Sequence, residues 1–346
     1  MNIETMPEMS EAKPKNIQEL LVEYDERVEL EGRPKPELLI FDISDQDFLH
    51  SLTAPFRKTR HANEETIAAE ITIYNPSPVK TKEQTVISAR VEPRSSERQS
   101  QVMFFEEKDG VWKLIKDAPI LPLQDPFYEP DVDGSQIFGG VKTHPDKTHP
   151  GVLCYETAFY RFQDDIHEIH DPPFAIGPER MKDIRLIQIA PGRIGVFTRP
   201  QGGEAGRGKI GYLEIRHLSE LEEKIPQAQL IEGMFAADEW GGANDLELLK
   251  DGRVGVLGHI AYEKETKKFY YPTAFIFNPE SRLPSDLKIL ATARDLEKIE
   301  PKNPHQGEIL YPGGLQRRED GAAILYAGYN DVRAVRFELK DPFLPR

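Results

Sequence analysis

Polar residues recur at the start of several short apolar stretches of this chain. Asn75, Asp125, Asp183 and Asp245 each stand where such a stretch begins. Carboxyl groups brought together in a confined cleft raise one another's pKa, so that one of them can stay protonated as a general acid near neutral pH. Each residue taken singly could instead cap a strand or turn by accepting hydrogen bonds from backbone N–H groups. As a set, the four favour a site.

Basic residues lie in or just after the same stretches. In a chain with a formal net charge of −15, such cations indicate either a pocket for an anionic group such as phosphate or buried ion pairs with the aspartates. Both interpretations are open for each residue. The set comprises Arg90, Lys182, Arg185, Arg199, His259 and Arg333.

Two other patterns are weaker. His144, His149, His167 and His170 lie in polar segments without the fixed short spacing of zinc ligands, so no metal site is predicted. The glycine-rich residues 202–208 precede a strand-like segment and not a helix, and therefore lack the helix N-terminus that makes a phosphate loop work. This segment is predicted to be a mobile loop at the mouth of the site.

The elements that must position these residues are short strands joined by tight turns. Stretches rich in Val, Ile, Phe and Tyr are bounded by Asp-Gly, Pro-Gly and Gly-Gly pairs from residue 37 onward. The repeated turns lie 52 to 69 residues apart, near Lys82 and at Gly134, Gly192, Gly252 and Gly321. Five such units predict an all-β chain folded as a five-bladed β-propeller, because a blade takes roughly 40–50 residues plus loops. The first strands of the blades would then bring the polar residues together at the axis.

The start of the chain has a different pattern. Apolar residues at helical spacing predict a short helix over residues 16–28, and the polar residues before it are expected to be disordered. We therefore divide the chain into an N-terminal extension, residues 1–36, and a propeller domain, residues 37–346. A second short helical segment is predicted at residues 218–224 as a surface connection.

Composition excludes several classes of protein. With 59 acidic and 44 basic side chains, the chain lacks the broad cationic field that drives nucleic-acid binding. No apolar run approaches the length of a membrane span, and the polar N-terminus is unlike a signal peptide. The lone Cys154 excludes a disulfide framework within the chain and fits a reducing compartment. We expect a cytoplasmic protein with no nucleic-acid or membrane partner, and a homo-oligomer is left open.

The motifs that carry these residues resemble those of a known family. The sequence is similar to the five-bladed propeller β-mannoside phosphorylases and, more closely, to the mannosyltransferase/phosphorylases that build and degrade β-1,2-linked mannan. The resemblance covers most of the chain between residues 75 and 337. It rests on Asn75-Pro76 with Arg90, on Gln124-Asp125-Pro126-Phe127, on Lys182-Asp183 with Arg199-Pro200, and on Tyr311-Pro312-Gly313-Gly314 with Tyr329-Asn330-Asp331.

This resemblance implies roles for the residues that match. Asp125 would be the proton donor, and no metal or cofactor would be required. The sugar-binding residues would be Asn75, Arg90, Asp183, Asp245, Tyr329 and Asp331. The phosphate-binding residues would be Lys182, Arg199 and His259.

The expected activity is that of an inverting enzyme on β-mannosides. It would phosphorolyse β-1,2-linked manno-oligosaccharides or transfer mannose to them through mannose 1-phosphate, with an oligosaccharide and phosphate or a sugar nucleotide as substrates. Phe127 and Gln124 depart from the family, which has an arginine and a glutamate at these places. Hydrolysis by an inverting mannosidase, with Asp183 as base, is therefore an alternative. A carbohydrate-binding propeller without catalysis is another.

Overall fold

The fold is built almost entirely from antiparallel strands. A computed structural model of the protein describes residues 14–43, 71–146 and 152–344. The disorder predicted for the first residues falls outside this part of the chain. The predicted all-β class is confirmed, and the strands group into five successive units that we number 1 to 5.

Each unit begins with a hairpin of two long strands. Unit 1 contains β3 (Ile71–Lys80), β4 (Thr85–Pro93), β5 (Gln101–Lys108) and β6 (Val111–Leu114), with β2 (Phe41–Asp42) along β6. Unit 2 contains β7 (Leu123–Val132), β8 (Ser135–Pro145), β9 (Leu153–Phe162) and β10 (Ala175–Ile176). Unit 3 contains β11 (Arg185–Ala190), β12 (Arg193–Thr198), β13 (Gly211–Ile215) and β14 (Gln229–Leu230).

The last two units form one continuous sheet. Unit 4 contains β15 (Trp240–Leu248), β16 (Val254–Lys264), β17 (Lys267–Asn278), β18 (Leu283–Pro284) and β19 (Lys288–Ile289). Unit 5 contains β20 (Gln306–Arg317), β21 (Ala322–Tyr329) and β22 (Arg333–Lys340), and its outer strand is β1 (Lys35–Leu38). The two are joined by parallel pairing between β17 and β20. The predicted turns at Gly134, Gly192, Gly252 and Gly321 close the first hairpins of units 2 to 5.

The five first strands contact one another in sequence. β3 contacts β7, β7 contacts β11, β11 contacts β15, β15 contacts β20, and β20 returns to β3. Five buried hydrophobic clusters follow the same order, each lying between two neighbouring units, with unit 5 packed against unit 1 through Tyr326, Ala334 and Trp112. The interior ends of the first strands therefore meet in one central region.

The N-terminal segment is an integral part of this fold. The predicted helix is confirmed as α1 (Ile17–Glu31), which begins at Asn16 because that side chain accepts from the N–H groups of Gln18 and Glu19. Its buried face, including Tyr24, packs into the cluster shared by units 3 and 4. The boundary predicted between residues 36 and 37 falls inside β1, which pairs with β22. The second predicted helix is confirmed as a 3₁₀ turn (Leu218–Glu220) running into α2 (Leu221–Lys224).

Candidate functional site

Three of the recurring polar residues occupy the same backbone position in units 1 to 3. Asn75, Asp125 and Asp183 adopt left-handed conformations, with φ of 49°, 47° and 58°. Asn75 and Asp125 lie at breaks in the ladder of the first hairpin, and Asp183 lies just before the first paired residue of β11. Asn and Asp tolerate this conformation better than other non-glycine residues. The bulges at Asn75 and Asp125 change the direction of these two side chains, and all three residues are buried.

Asp125, in unit 2, is held by two residues of unit 1. Asn75 Nδ2 donates to Asp125 Oδ1 at 2.7 Å, and Arg90 Nη1 lies 3.1 Å from the same oxygen. Burial would raise the pKa of Asp125, but the charges of Arg90 and Lys182 and the Asn75 hydrogen bond outweigh it and hold that pKa below its ordinary value. The clustering of carboxyl groups therefore does not raise the pKa of Asp125, because the charges of Arg90 and Lys182 outweigh the repulsion from Asp183.

Arg90 is fixed by a buried network on its other side. Its Nε and Nη2 donate to Glu92 Oε2 at 3.0 and 2.9 Å. The Glu92 side chain is completely buried and also receives hydrogen bonds from Tyr74, Ser100 and Lys302. Lys302 precedes β20, so this network joins unit 5 to unit 1 and leaves one nitrogen of Arg90 directed at Asp125.

Asp183 forms a closed set of contacts with two other residues. Arg199 Nη1 lies 2.9 Å from its Oδ2, and the Tyr311 hydroxyl donates to its Oδ1 at 2.9 Å. Burial would raise the pKa of Asp183, but Arg199 and Lys182 lower it well below its ordinary value. Of the two interpretations offered for the basic residues, a phosphate pocket or a buried ion pair, Arg199 thus forms the buried ion pair, with Asp183. Tyr311 was not predicted as a site residue, although its motif carried part of the resemblance.

Lys182 has a different environment from the arginines. It is half-buried, and its Nζ lies 5.9 Å from the centre of the Tyr155 ring. Burial would lower the pKa of Lys182, but Asp183 and Asp125 raise it above its ordinary value, so the ammonium group stays charged. Among the described residues it makes no hydrogen bond or ion pair.

His259 belongs to the cluster but is not a cation. Asn244 Nδ2 donates to Pro312 O at 2.9 Å, which directs its Oδ1 towards His259 Nδ1 at 2.7 Å. Because an amide oxygen can only accept, Nδ1 carries the proton and the buried Nε2 is left as an acceptor. Burial lowers the pKa of His259 to about 3. His259 is therefore neutral and adds no positive charge to the cluster, and its Nε2 is placed to accept a hydrogen bond from a hydroxyl group.

The unit 4 member of the set is shifted by one residue from the predicted position. The bulge in the β15–β16 ladder lies at Asn244, between Ala243 and Asp245. A shift of one residue along a strand turns a side chain to the opposite face. Asp245 accepts from the backbone N–H groups of Leu246 and Leu315, each at 2.8 Å, and burial raises its pKa to about 7. The alternative of backbone capping thus holds for Asp245, and Asn244 takes its place beside His259.

The two sugar-binding residues predicted in the last unit, Tyr329 and Asp331, lie in different environments. Tyr329 lies in the hydrophobic cluster between units 4 and 5, and its hydroxyl donates to Glu297 O at 3.2 Å, so its prediction as a sugar ligand is corrected. Asp331 is half-buried and accepts a hydrogen bond from Gln306 Nε2. Burial raises the pKa of Asp331 to about 6, against the lowering effect of Arg90, which places Asp331 within the electrostatic reach of the cluster.

Phe127 occupies a structural position under an arginine. The Cζ atom of Arg185 lies 4.1 Å from the centre of the Phe127 ring, and Arg185 Nε donates to Asn244 O at 2.6 Å. Arg185 also lies 3.9 Å from Glu129, and burial raises the pKa of Glu129 well above its ordinary value. Arg185, in unit 3, therefore contacts both unit 2 and unit 4 and stabilises their packing.

The glycine-rich segment lies next to the cluster, as predicted. Arg199 Nη2 donates to Arg207 O at 3.5 Å, and the Cζ atom of Arg207 lies 3.8 Å from the centre of the Trp240 ring. Trp240 Nε1 in turn donates to the Tyr270 hydroxyl at 3.2 Å. No local pattern in the sequence indicates this aromatic group, because its members come from two strands and a loop. Among the described residues no group of His, Cys, Asp or Glu is arranged to hold a metal ion, and no helix is long and apolar enough to cross a membrane.

Solved structures similar to this chain include a mannose phosphorylase and a mannosyltransferase. A mannose phosphorylase from Leishmania mexicana, solved in complex with phosphate ion, is 29% identical over 93% of each chain, with a TM-score of 0.75. A GDP-Man-dependent mannosyltransferase from the same organism is 28% identical over 93% of this chain and 94% of its own, with a TM-score of 0.74. A β-1,2-mannobiose phosphorylase from Listeria innocua is 10% identical over 82% of this chain and 93% of its own, with a TM-score of 0.57, which shows the fold alone.

These matches confirm two predictions, the resemblance to mannosyltransferase/phosphorylases and the assignment to an enzyme class. Residues 65–345 match the family model described as a protein of unknown function, DUF1861, and the chain belongs to that family. The comparison with curated proteins found no match.

Proposed function

We propose that the protein is an inverting phosphorylase or mannosyltransferase that acts on β-1,2-linked manno-oligosaccharides through mannose 1-phosphate. The observation that carries this proposal is that Asp125, held by Asn75 and Arg90, lies within the electrostatic reach of the charged ammonium group of Lys182. The similarity to a phosphate-bound mannose phosphorylase supports the same substrates. The β-1,2 linkage rests on the sequence resemblance.

The architecture proposed for this function is a five-bladed β-propeller. The ring of contacts from β3 through β20 and the five clusters between neighbouring units support it. So does the pairing of β1 with β22, which completes the last unit with a strand from the start of the chain. The central region of such a ring is where the first strands of all blades converge.

The chemistry divides between two sides of the sugar. Asp125, once protonated, gives its proton to the glycosidic oxygen, while a phosphate oxygen attacks the anomeric carbon from the opposite face. The bond to the leaving sugar breaks as the bond to phosphate forms, so a β-mannoside yields α-mannose 1-phosphate. Lys182 binds the phosphate with Arg199, whose buried Nε has no partner among the described residues. His259 Nε2 accepts from a hydroxyl group of the substrate.

Asp125→Asn tests the role of the acid. Loss of a positioned general acid lowers kcat by roughly 10²–10⁴-fold, and we expect this loss in phosphorolysis of β-1,2-mannobiose. Because Asp125 is the buried partner of Arg90, its replacement should also lower Tm, so the assay is run at a temperature at which thermal unfolding shows the variant to be folded. Asp238→Asn, at an exposed aspartate, is the matched control. Full activity of Asp125→Asn would remove Asp125 from the acid role, and retained oligosaccharide binding by a wild-type protein without turnover would favour a binding propeller.

Product analysis tests the nucleophile. Manno-oligosaccharides incubated with and without phosphate, or with GDP-mannose as donor, should give mannose 1-phosphate or longer oligosaccharides. At the place of Phe127, the cation in contact with the ring is Arg185, which is already engaged by Asn244 O and lies 3.9 Å from Glu129. This observation keeps hydrolysis as a second candidate. Free mannose as the sole product, independent of phosphate, would establish the hydrolase instead.

A further inference from the structure

The cations around Asp125 differ in whether a carboxylate already neutralises them. Arg90 is shared between Glu92 and Asp125, and Arg199 is paired with Asp183. Lys182 alone among the cations described at the cluster has no carboxylate within ion-pair distance, and it is half-buried. An anion entering the central region would therefore find one unneutralised charge, that of Lys182.

The two oxygens of Asp125 are also unequal. Asn75 and Arg90 both donate to Oδ1, at 2.7 and 3.1 Å. Within residues 14–43, 71–146 and 152–344, Oδ2 receives no hydrogen bond. A carboxyl group that accepts two hydrogen bonds on one oxygen can take a proton on the other without losing either contact. Oδ2 is thus the oxygen that can carry the proton donated to the substrate.

From these contacts we propose that phosphate binding at Lys182 causes the uptake of a proton by Asp125, on Oδ2. The inference rests on the proposed function and adds an order of events to it. Phosphate, the nucleophile, binds first, and Asp125 is protonated as a result. Burial would raise the pKa of Asp125, but Arg90 and Lys182 together outweigh it and hold that pKa below its ordinary value. A bound phosphate neutralises Lys182 and adds negative charge, so burial then dominates and favours the protonated carboxyl group.

Other groups facing Asp125 respond differently to the same anion. Asp183 is locked by Arg199 and by the Tyr311 hydroxyl, so it stays ionised and Tyr311 keeps its proton. Arg90 remains charged in its network with Glu92. Asp331 is the rival proton acceptor, because burial already raises its pKa to about 6. The test must therefore separate Asp125 from Asp331.

Calorimetric titration with inorganic phosphate, in buffers of different ionisation enthalpy at one pH near 7, counts the protons taken up per phosphate bound. Wild type, Asp125→Asn, Asp331→Asn and the exposed control Asp238→Asn would be compared. Protons exchanged by phosphate itself are common to all four proteins. We expect wild type, Asp331→Asn and Asp238→Asn to take up more protons than Asp125→Asn, by up to about one per site. Lys182→Met should weaken phosphate binding by roughly 10- to 100-fold, the value of a charge-assisted hydrogen bond.

Equal proton uptake by wild type and Asp125→Asn would overturn the inference, as would a loss of uptake confined to Asp331→Asn or the absence of phosphate binding. Thermal unfolding of each variant shows that it is folded during the titration. Phosphorolysis measured on the same wild-type preparation separates this inference from the proposed function. Turnover without the extra proton contradicts only the coupling, and the extra proton without turnover contradicts only the proposed reaction.

Discussion

Replacing Lys302 with methionine tests the buried network that holds Arg90 towards Asp125. Lys302 Nζ contacts Glu92 Oε1, and the two side chains are 3% and 0% exposed. The contact spans 210 positions in the sequence and ties the segment before β20 to β4. Methionine keeps most of the length of the side chain but removes the charge, so that among the described residues Arg90 is left as the only cation paired with Glu92.

The expected cost follows from this burial. Removing one partner of a buried ion pair costs about 3–5 kcal/mol because the remaining charge stays desolvated. Arg90, Tyr74 and Ser100 continue to donate to Glu92, which favours the lower end, about 3 kcal/mol. For a protein of this size each kcal/mol lowers Tm by about 2 °C, so we expect Lys302→Met to unfold about 6 °C below wild type.

Thermal unfolding of a double-mutant cycle measures the coupling directly. Wild type, Lys302→Met, Glu92→Gln and the double variant would be compared, with Lys298→Met as an exposed control on the same segment. Because the two residues share a contact, the double variant should lose less stability than the sum of the single variants. Lys302→Arg should recover part of the loss. A Tm for Lys302→Met within about 1 °C of wild type, the range of a surface substitution, or strictly additive effects, would refute the reasoning.

Three further predictions follow from the same contacts. Gly313→Ala places a Cβ 2.0 Å from Pro76 O, at the contact between unit 5 and unit 1. This clash should lower Tm in thermal unfolding. An unchanged Tm would show that the backbone shifts at little energetic cost. Burial raises the pKa of Asp331 to about 6 in the folded protein, so its stabilising contribution is complete below its ordinary pKa and is lost as pH rises through 6. Asp331→Asn, whose oxygen can still accept from Gln306, should therefore flatten the fall of Tm between about pH 4 and pH 7, and an unaltered slope would contradict this. His259→Gln should lower kcat/KM by a similar factor across about pH 5–8, because burial lowers the pKa of His259 to about 3 and the ring is neutral throughout this range. A loss of activity confined to the lower end of that pH range would show instead that the charged imidazolium takes part in the reaction.

The hairpins and the shared inward position were predictable from local signals. Turn glycines mark where each first hairpin closes, and Asn or Asp at a strand start marks a left-handed bulge in units 1 to 3. In unit 4 the same rule selects the wrong neighbour, because Asn244 and Asp245 are both good bulge residues and only the ladder register distinguishes them. The pairing of β1 with β22 joins opposite ends of the chain and has no local signal.

Electrostatics at the cluster could not be predicted from residue types. The sequence predicts that carboxyl groups meet at the centre, but the sign of each pKa change depends on which cation reaches which oxygen. Asp125 and Asp183 contact arginines and have lowered pKa values, whereas at Asp331 and Asp245 the effect of desolvation dominates and raises the pKa. These differences arise from side-chain contacts between separate units, which no single stretch of sequence encodes.

The most direct test of the proposed reaction is a ³¹P NMR time course of wild-type protein with β-1,2-mannobiose and inorganic phosphate. We predict a new signal of a hexose 1-phosphate that grows as the phosphate signal falls, and no such signal with Asp125→Asn. Release of mannose with the phosphate signal unchanged would contradict the account.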